Sequence, residues 1–311
     1  MSTIRRGIRE YLALRRGLGF KLHQEGIWLE QFASFLEQRR SSRVTTKLAL
    51  EWATLPHKTQ PAYLTHRLSV VRGFAHYHAA RDPRTEVPPL GLLPHRYRRK
   101  PPYIYTDDEI ARLLGAAEKL PSKTGVRSRT YVTLLGLLVV TGMRISEAVG
   151  LDRDDVDLAA GVLTVRRTKF GKSRLIPVHA TTRRALEQYA VSRDRIQPTP
   201  TTMSFFIGDH GGRLTVNVAE ITFVKLSRQV GLRSPSDRRG PRLHDLRHRL
   251  AVRVLLAWYR AGVDVEQRLP QLSTYLGHAH VTDTYWYLSA APELMRTVVA
   301  RLDPRRGGHP A

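Results

Sequence analysis

The 311 residues carry 51 Lys and Arg against 27 Asp and Glu, a net charge of +24. A chain of this length can hold two domains with separate cores, and charge on this scale points to a polyanionic partner. The absence of cysteine excludes disulfides and thiolate metal sites.

The longest apolar run, 134–140, falls well short of the roughly 20 residues that span a bilayer. Residues 1–10 carry three arginines and no apolar core, unlike a signal peptide. A cytoplasmic, nucleoid-associated protein without a membrane partner is expected. Residues 1–100 hold 19 Lys and Arg against 7 Asp and Glu, half of the net charge, so both halves are expected to face nucleic acid.

Residues 1–82 read as a four-helix domain. Trp28, Phe32, Phe35 and Leu36 follow the spacing of one buried helical face. Thr45 or Thr46 can cap a third helix carrying Leu48, Trp52 and Leu55. Leu64, Leu68, Val71 and Ala75 mark a fourth. Arg39, Arg40, Arg43, Arg67 and Arg72 lie between these stripes as candidate DNA contacts. Residues 83–104 contain six prolines, which forbid continuous helix. This stretch reads as a linker whose Arg96, Arg98, Arg99 and Lys100 track phosphates.

A second domain is expected over 105–303, with a disordered tail at 304–311. Thr106 and Glu109 form a capping box. A helix over about 127–141 is apolar nearly all round and should be buried. It ends at Gly142, which permits a sharp turn and sets Arg144 at the mouth of a buried element. Residues 162–178 alternate as a β-hairpin with Lys169 and Lys172 at its tip. Phe205 to Ile207 is a short candidate strand beside it. Helices are expected over about 180–194, 216–230, 244–261 and 264–276, and an amphipathic one over 291–303. The fold class is mainly α with a small antiparallel sheet.

The chemistry-bearing residues cluster late in the chain. His244 and Arg247, three apart, share a helical face. His278 follows a later apolar helix, and Tyr287 comes nine residues after it. Attack on a phosphodiester gathers charge on the non-bridging oxygens. Guanidinium groups such as those of Arg144 and Arg247 suit that charge. A tyrosine can serve as a covalent nucleophile, a hairpin-tip lysine can protonate the departing sugar oxygen, and histidines can bind phosphate or relay protons. Tyr285 and Lys172 stand beside Tyr287 and Lys169 as alternatives. The pairs His244/His248 and His278/His280 lack a third ligand at metal-binding spacing, so no metal is expected. Gly171-Lys172-Ser173 lacks the first glycine of a phosphate-binding loop.

These segments resemble the boxes of the tyrosine recombinase, or phage integrase, family. Thr141-Gly142-Met143-Arg144-Ile145-Ser146-Glu147 is similar to its first-arginine box and Thr168-Lys169-Phe170-Gly171-Lys172 to its lysine hairpin. His244-Asp245-Leu246-Arg247-His248 is similar to its His-x-x-Arg box, and Leu276-Gly277-His278 with Tyr287 to its closing box. They occur in family order over 106–290.

The resemblance implies a SAM-like core-binding domain followed by a catalytic domain, clamped on double-stranded DNA. Tyr287 would form a 3′-phosphotyrosine, and Arg144, Arg247 and His278 would hold the phosphate oxygens. Lys169 would act as the acid, His244 would assist the tyrosine proton, and Glu147 would support the site. Neither metal nor ATP would be needed. The helices starting almost at Met1 imply that no arm-binding domain precedes them. A mobile-element integrase or transposase is expected, working as a tetramer of this chain or with a related recombinase. A type IB topoisomerase-like enzyme, a nuclease and a catalytically silent DNA binder of the same fold are the alternatives.

Overall fold

A computed structural model describes residues 3–57, 59–93, 101–166, 173–199, 201–237, 239–278 and 280–290. The chain divides into two units, residues 1–99 and 100–311. The first contains α1 (Thr3–Gly17), α2 (His23–Gln38), α3 (Thr46–Thr54) and α4 (Pro61–Ala79). Its core joins Ile4 and Ile8 to Trp28, Phe32, Leu36, Trp52, Leu68, Val71 and Phe74, as the stripe spacing predicts. The Thr45 side chain caps α3 by accepting from the Leu48 amide at 3.2 Å. Leu55, expected on the buried stripe, is the exposed residue that ends this helix.

Residues 83–93, expected as the start of a linker, are held on the helices of this unit. The Glu86 amide donates to the Val44 carbonyl at 2.9 Å, and Val87, Leu92 and Leu93 pack against the core. Proline-rich chain can be fixed in this way because its carbonyls still accept hydrogen bonds.

The second unit places α5 (Asp107–Glu118), α6 (Val126–Thr141) and α7 (Ile145–Val149) before a three-stranded antiparallel sheet in the order β1-β2-β3. The strands are β1 (Val156–Asp157), β2 (Val162–Val165) and β3 (Arg174–Pro177), with Leu163 opposite Ile176. Helices α8 (Ala180–Ile196), α9 (Val216–Gln229), α10 (Leu243–Arg260), α11 (Val265–Leu276) and α12 (Thr282–Ala290) follow. The capping box opens α5, with Thr106 and Glu109 exchanging hydrogen bonds of 2.8 and 3.1 Å.

Two expectations change. Phe205 to Ile207 forms no strand of the sheet; only isolated bridges, Asp152 to Ser204 and Ile207 to Arg213, flank it. All three side chains are buried, two of them against Tyr189, so the segment packs on every side instead of alternating. Helix α6 buries Tyr131, Leu134, Leu135, Leu137 and Leu138, but Val140 is exposed.

The hairpin tip, the helix expected over 291–303 and the tail 304–311 lie outside the described residues. Among the described residues no helix is long and apolar enough to cross a membrane.

Candidate active site

Two helix ends form the floor of the site. Helix α6 closes at Gly142 with φ of 61°, and α11 closes at Gly277 with φ of 66°. Glycine adopts this left-handed conformation without the penalty a Cβ brings. A Cβ at Gly277 would also lie 2.7 Å from a terminal nitrogen of Arg174. The carbonyls at these ends carry the negative pole of each helix and attract cations.

Arg247, on α10 and buried, donates to the Gly142 carbonyl at 2.9 Å and to the Leu276 carbonyl. Arg144, which starts α7, donates to the Gly277 carbonyl at 3.0 Å. The two guanidinium groups thus meet adjacent carbonyls at the end of α11, close enough for their charges to interact. Burial and the charge of Arg144 pull Arg247 down to about 10, so it remains a cation at neutral pH.

Glu147 holds this pair in place. Its carboxylate accepts from the Arg144 amide at 2.9 Å and the Arg144 guanidinium at 2.8 Å. Arg174, on β3, donates to the same carboxylate at 3.0 and 2.8 Å and to the Tyr275 carbonyl at 3.0 Å. Burial alone would raise the Glu147 pKa, but the hydrogen bonds from Arg174 and Arg144 outweigh it and hold the group at about 2. Arg174 is not among the residues that the sequence points to. Its only local signal was an arginine opening the strand Arg-Leu-Ile-Pro, and the partner lies 27 positions away.

Three imidazoles face the cluster. His278 Nδ1 lies 2.7 Å from the Thr284 hydroxyl, and its ring stacks on Tyr287 with centroids 6.1 Å apart. His244 sits at the open edge of the site. The packed protein around its ring, with the charges of Arg247 and Arg242, draws it down to about 4. Burial first, then Arg247, lowers His278 to about 4 as well. The third is His248, which the sequence reading weighed only as a metal partner of His244. The signal was its spacing of four from His244 on one helical face. The two rings meet edge to face at 4.7 Å.

Tyr287, on α12, is 2% exposed, and its hydroxyl lies 3.0 Å from His248 Nδ1. Its closeness to Arg247 is enough for the two to couple electrostatically. The resemblance gives His244 a part in moving the tyrosine proton, and His248, on the same helix, is a ring that the hydroxyl reaches. Tyr285, the alternative nucleophile, is 45% exposed. Two residues along a helix turn a side chain by roughly 200°, which separates the two tyrosines.

Arg144, Glu147, His244, Arg247, His278 and Tyr287 therefore come together. Lys169 and Lys172, and likewise Arg96, Arg98, Arg99 and Lys100, lie outside the described residues. Of the candidate DNA contacts, Arg40 and Arg43 are exposed, and Arg39 is exposed and paired with Glu51. Arg67 is a correction. It is buried, lies 3.7 Å over the Trp52 ring and donates to the Trp52 carbonyl at 3.0 Å. Arg72 is half-buried, and its guanidinium donates to the Pro88 and Pro89 carbonyls at 2.8 and 3.0 Å. Among the described residues no group of three His, Cys, Asp or Glu is arranged around a metal position.

Two arginines, three histidines and a tyrosine lie together here, side chains whose chemistry suits attack by a tyrosine oxygen on a phosphate diester. Residues 104–293, which include all of these side chains, match the phage integrase family. The chain is 48% identical over 309 residues to the putative integrase/recombinase y4rB of Sinorhizobium fredii, covering 98% of each. It is 33% identical over 242 residues to tyrosine recombinase XerD of Mycobacterium tuberculosis, covering 77% of this chain and 70% of that one. Among solved structures, the Tn1549 transposon integrase in complex with transposon right end DNA has a TM-score of 0.67 at 19% identity, covering 95% of this chain and 99% of that one. The chain belongs to the phage integrase family and is a DNA recombinase of the tyrosine class.

Proposed function

We propose that this recombinase serves a mobile element and breaks DNA through Tyr287. The observation that carries the assignment is the placement of the Tyr287 ring against His278 and within the field of Arg247, at the helix end whose Gly277 carbonyl Arg144 reaches. The tyrosine oxygen attacks the scissile phosphate, its proton passes to solvent with the help of His244 at the open edge, and the bond to the 5′ oxygen breaks. The product is a 3′-phosphotyrosine and a 5′-hydroxyl. Arg144, Arg247 and His278 bind the non-bridging oxygens, which the phosphate offers in place of the helix-end carbonyls. Lys169 protonates the leaving 5′ oxygen. Glu147 fixes Arg144.

The covalent bond conserves the energy of the broken linkage, so rejoining to a new strand needs no ATP. Exposed Arg39, Arg40 and Arg43 supply phosphate contacts from the first unit, and the enzyme works as a tetramer on paired sites. The mobile-element role is supported by likeness over nearly the whole chain to a putative integrase/recombinase.

The test is covalent trapping. The protein is incubated with nicked duplexes taken from the DNA flanking its gene, in EDTA, and denatured in detergent. A protein–DNA adduct that is lost in Tyr287→Phe and retained in Tyr285→Phe is expected. An adduct of wild-type yield in Tyr287→Phe would overturn the assignment.

A further inference from the structure

We propose that His248 is the positioning residue for the nucleophile. The inference rests on the assignment of Tyr287 above and adds a residue to which the mechanism gave no role. His248 Nδ1 lies 3.0 Å from the Tyr287 hydroxyl. The imidazole is only 9% exposed and is enclosed by three rings. His244 meets it at 4.7 Å, Trp286 at 5.3 Å and Tyr287 at 5.3 Å between centroids. A ring enclosed on three sides cannot turn without displacing its neighbours. The acceptor therefore stays at a fixed place on α10, the helix that also carries Arg247.

The protonation state follows from the surroundings. Burial, then His244 and Arg242, hold the His248 pKa down to about 3, so the ring is neutral at physiological pH. A neutral imidazole has one donor nitrogen and one acceptor nitrogen. The Asp245 carboxylate lies 3.9 Å from Nε2, beyond hydrogen-bonding reach but close enough to favour a proton there. Nδ1 is then the acceptor, and the tyrosine O–H points at it. Fixing that hydrogen also fixes the direction of the oxygen lone pairs, which is what in-line attack requires. His248 and Arg247 are adjacent on α10, so one rigid element sets both the nucleophile and a phosphate-binding guanidinium.

The experiment compares His248→Asn, His248→Gln and His248→Leu on the suicide duplex at saturating protein. Asparagine places an amide oxygen near the position of Nδ1, whereas glutamine reaches toward that of Nε2. Expected are near wild-type DNA affinity in all three and cleavage slowed about tenfold in Leu and Gln, the scale of one lost hydrogen bond. Asn should recover most of that loss. A second substrate carries sulfur at the bridging 5′ position. Its leaving group departs without a proton, so a defect in the acid step would be relieved there and a misplaced nucleophile would not. The Leu defect should persist.

Wild-type cleavage in His248→Leu would overturn the proposal. So would equal loss in all three variants in step with their melting temperatures, or relief by sulfur. If wild type forms no Tyr287-dependent adduct, the parent assignment falls and this one with it. If it does, only the role of His248 is at stake.

Discussion

Arg174 closes both terminal nitrogens on the two oxygens of Glu147, at 3.0 and 2.8 Å. Arg144 shares that carboxylate from the other side. The sheet is thereby tied to the arginine that faces the pocket, and one acid sets the position of the pair.

Glu147 should therefore control acid stability. Its folded pKa of about 2 lies below the ordinary 4.5. A depressed carboxylate contributes stability that is fully present above the unfolded value and is lost as pH falls from 4.5 toward 2. The side chain is 6% exposed, so little solvent discount applies, and the contribution is of order 3 kcal/mol. Glu147→Gln should be less stable than wild type at pH 6, with the gap narrowing below pH 4.5. Urea midpoints across that range measure it; a constant gap would contradict the charge account.

The histidines act in a higher window. His244, His248 and His278 ionise at about 4, 3 and 4 in the fold, against an ordinary 6.5. Between these values the unfolded chain binds more protons than the native one. Stability should therefore fall as pH drops from 6.5 toward 4, by up to about 1.4 kcal/mol per pH unit for buried His248 and by less for His278 and exposed His244, whose charge water screens. His248→Asn should flatten that slope by one group's share. An unchanged slope would mean that His248 titrates normally in the fold.

Arginines of the first unit should separate by role. Arg67→Ala removes a buried cation from the Trp52 face and should cost about 2 kcal/mol of stability, the scale of a desolvated cation–π contact. It should leave the salt dependence of DNA binding unchanged. Arg43→Ala should leave the melting temperature alone and reduce the slope of log affinity against log salt by about 0.9. Titrations at several salt concentrations decide it, and exchanged behaviour would refute the placement of both side chains.

Gly277→Ala should be costly at two levels. The residue has φ of 66°, and a new Cβ would press on Arg174. Strain of about 1–2 kcal/mol is expected, with a larger loss of cleavage than of DNA binding, because Arg144 donates to the Gly277 carbonyl. Equal losses in both would indicate simple unfolding.

Much of this was legible in the chain. Trp28, Phe32 and Leu36 announced a buried face by spacing alone. Thr106 and Glu109 announced a helix start, since capping chemistry is local. Arg144, Arg247, His278 and Tyr287, which the family resemblance singles out, do lie together in the fold. Arg67 misled because a charged residue beside an apolar stripe reads as solvated; only the fold reveals that Trp52 covers it. Arg174 and His248 were hidden because their partners lie 27 and 39 positions away, and such contacts leave no periodic trace. Leu55 and Val140 continue apolar patterns past the point where neighbouring elements cover them.

The most direct test of the account is to identify the residue that carries the DNA. The trapped adduct is digested with nuclease and protease, and the peptide bearing the residual nucleotide is sequenced by mass spectrometry. The modification is expected on Tyr287, with the partly exposed Tyr285 of the same peptide unmodified. A nucleotide on Tyr285, or on a serine, would contradict it.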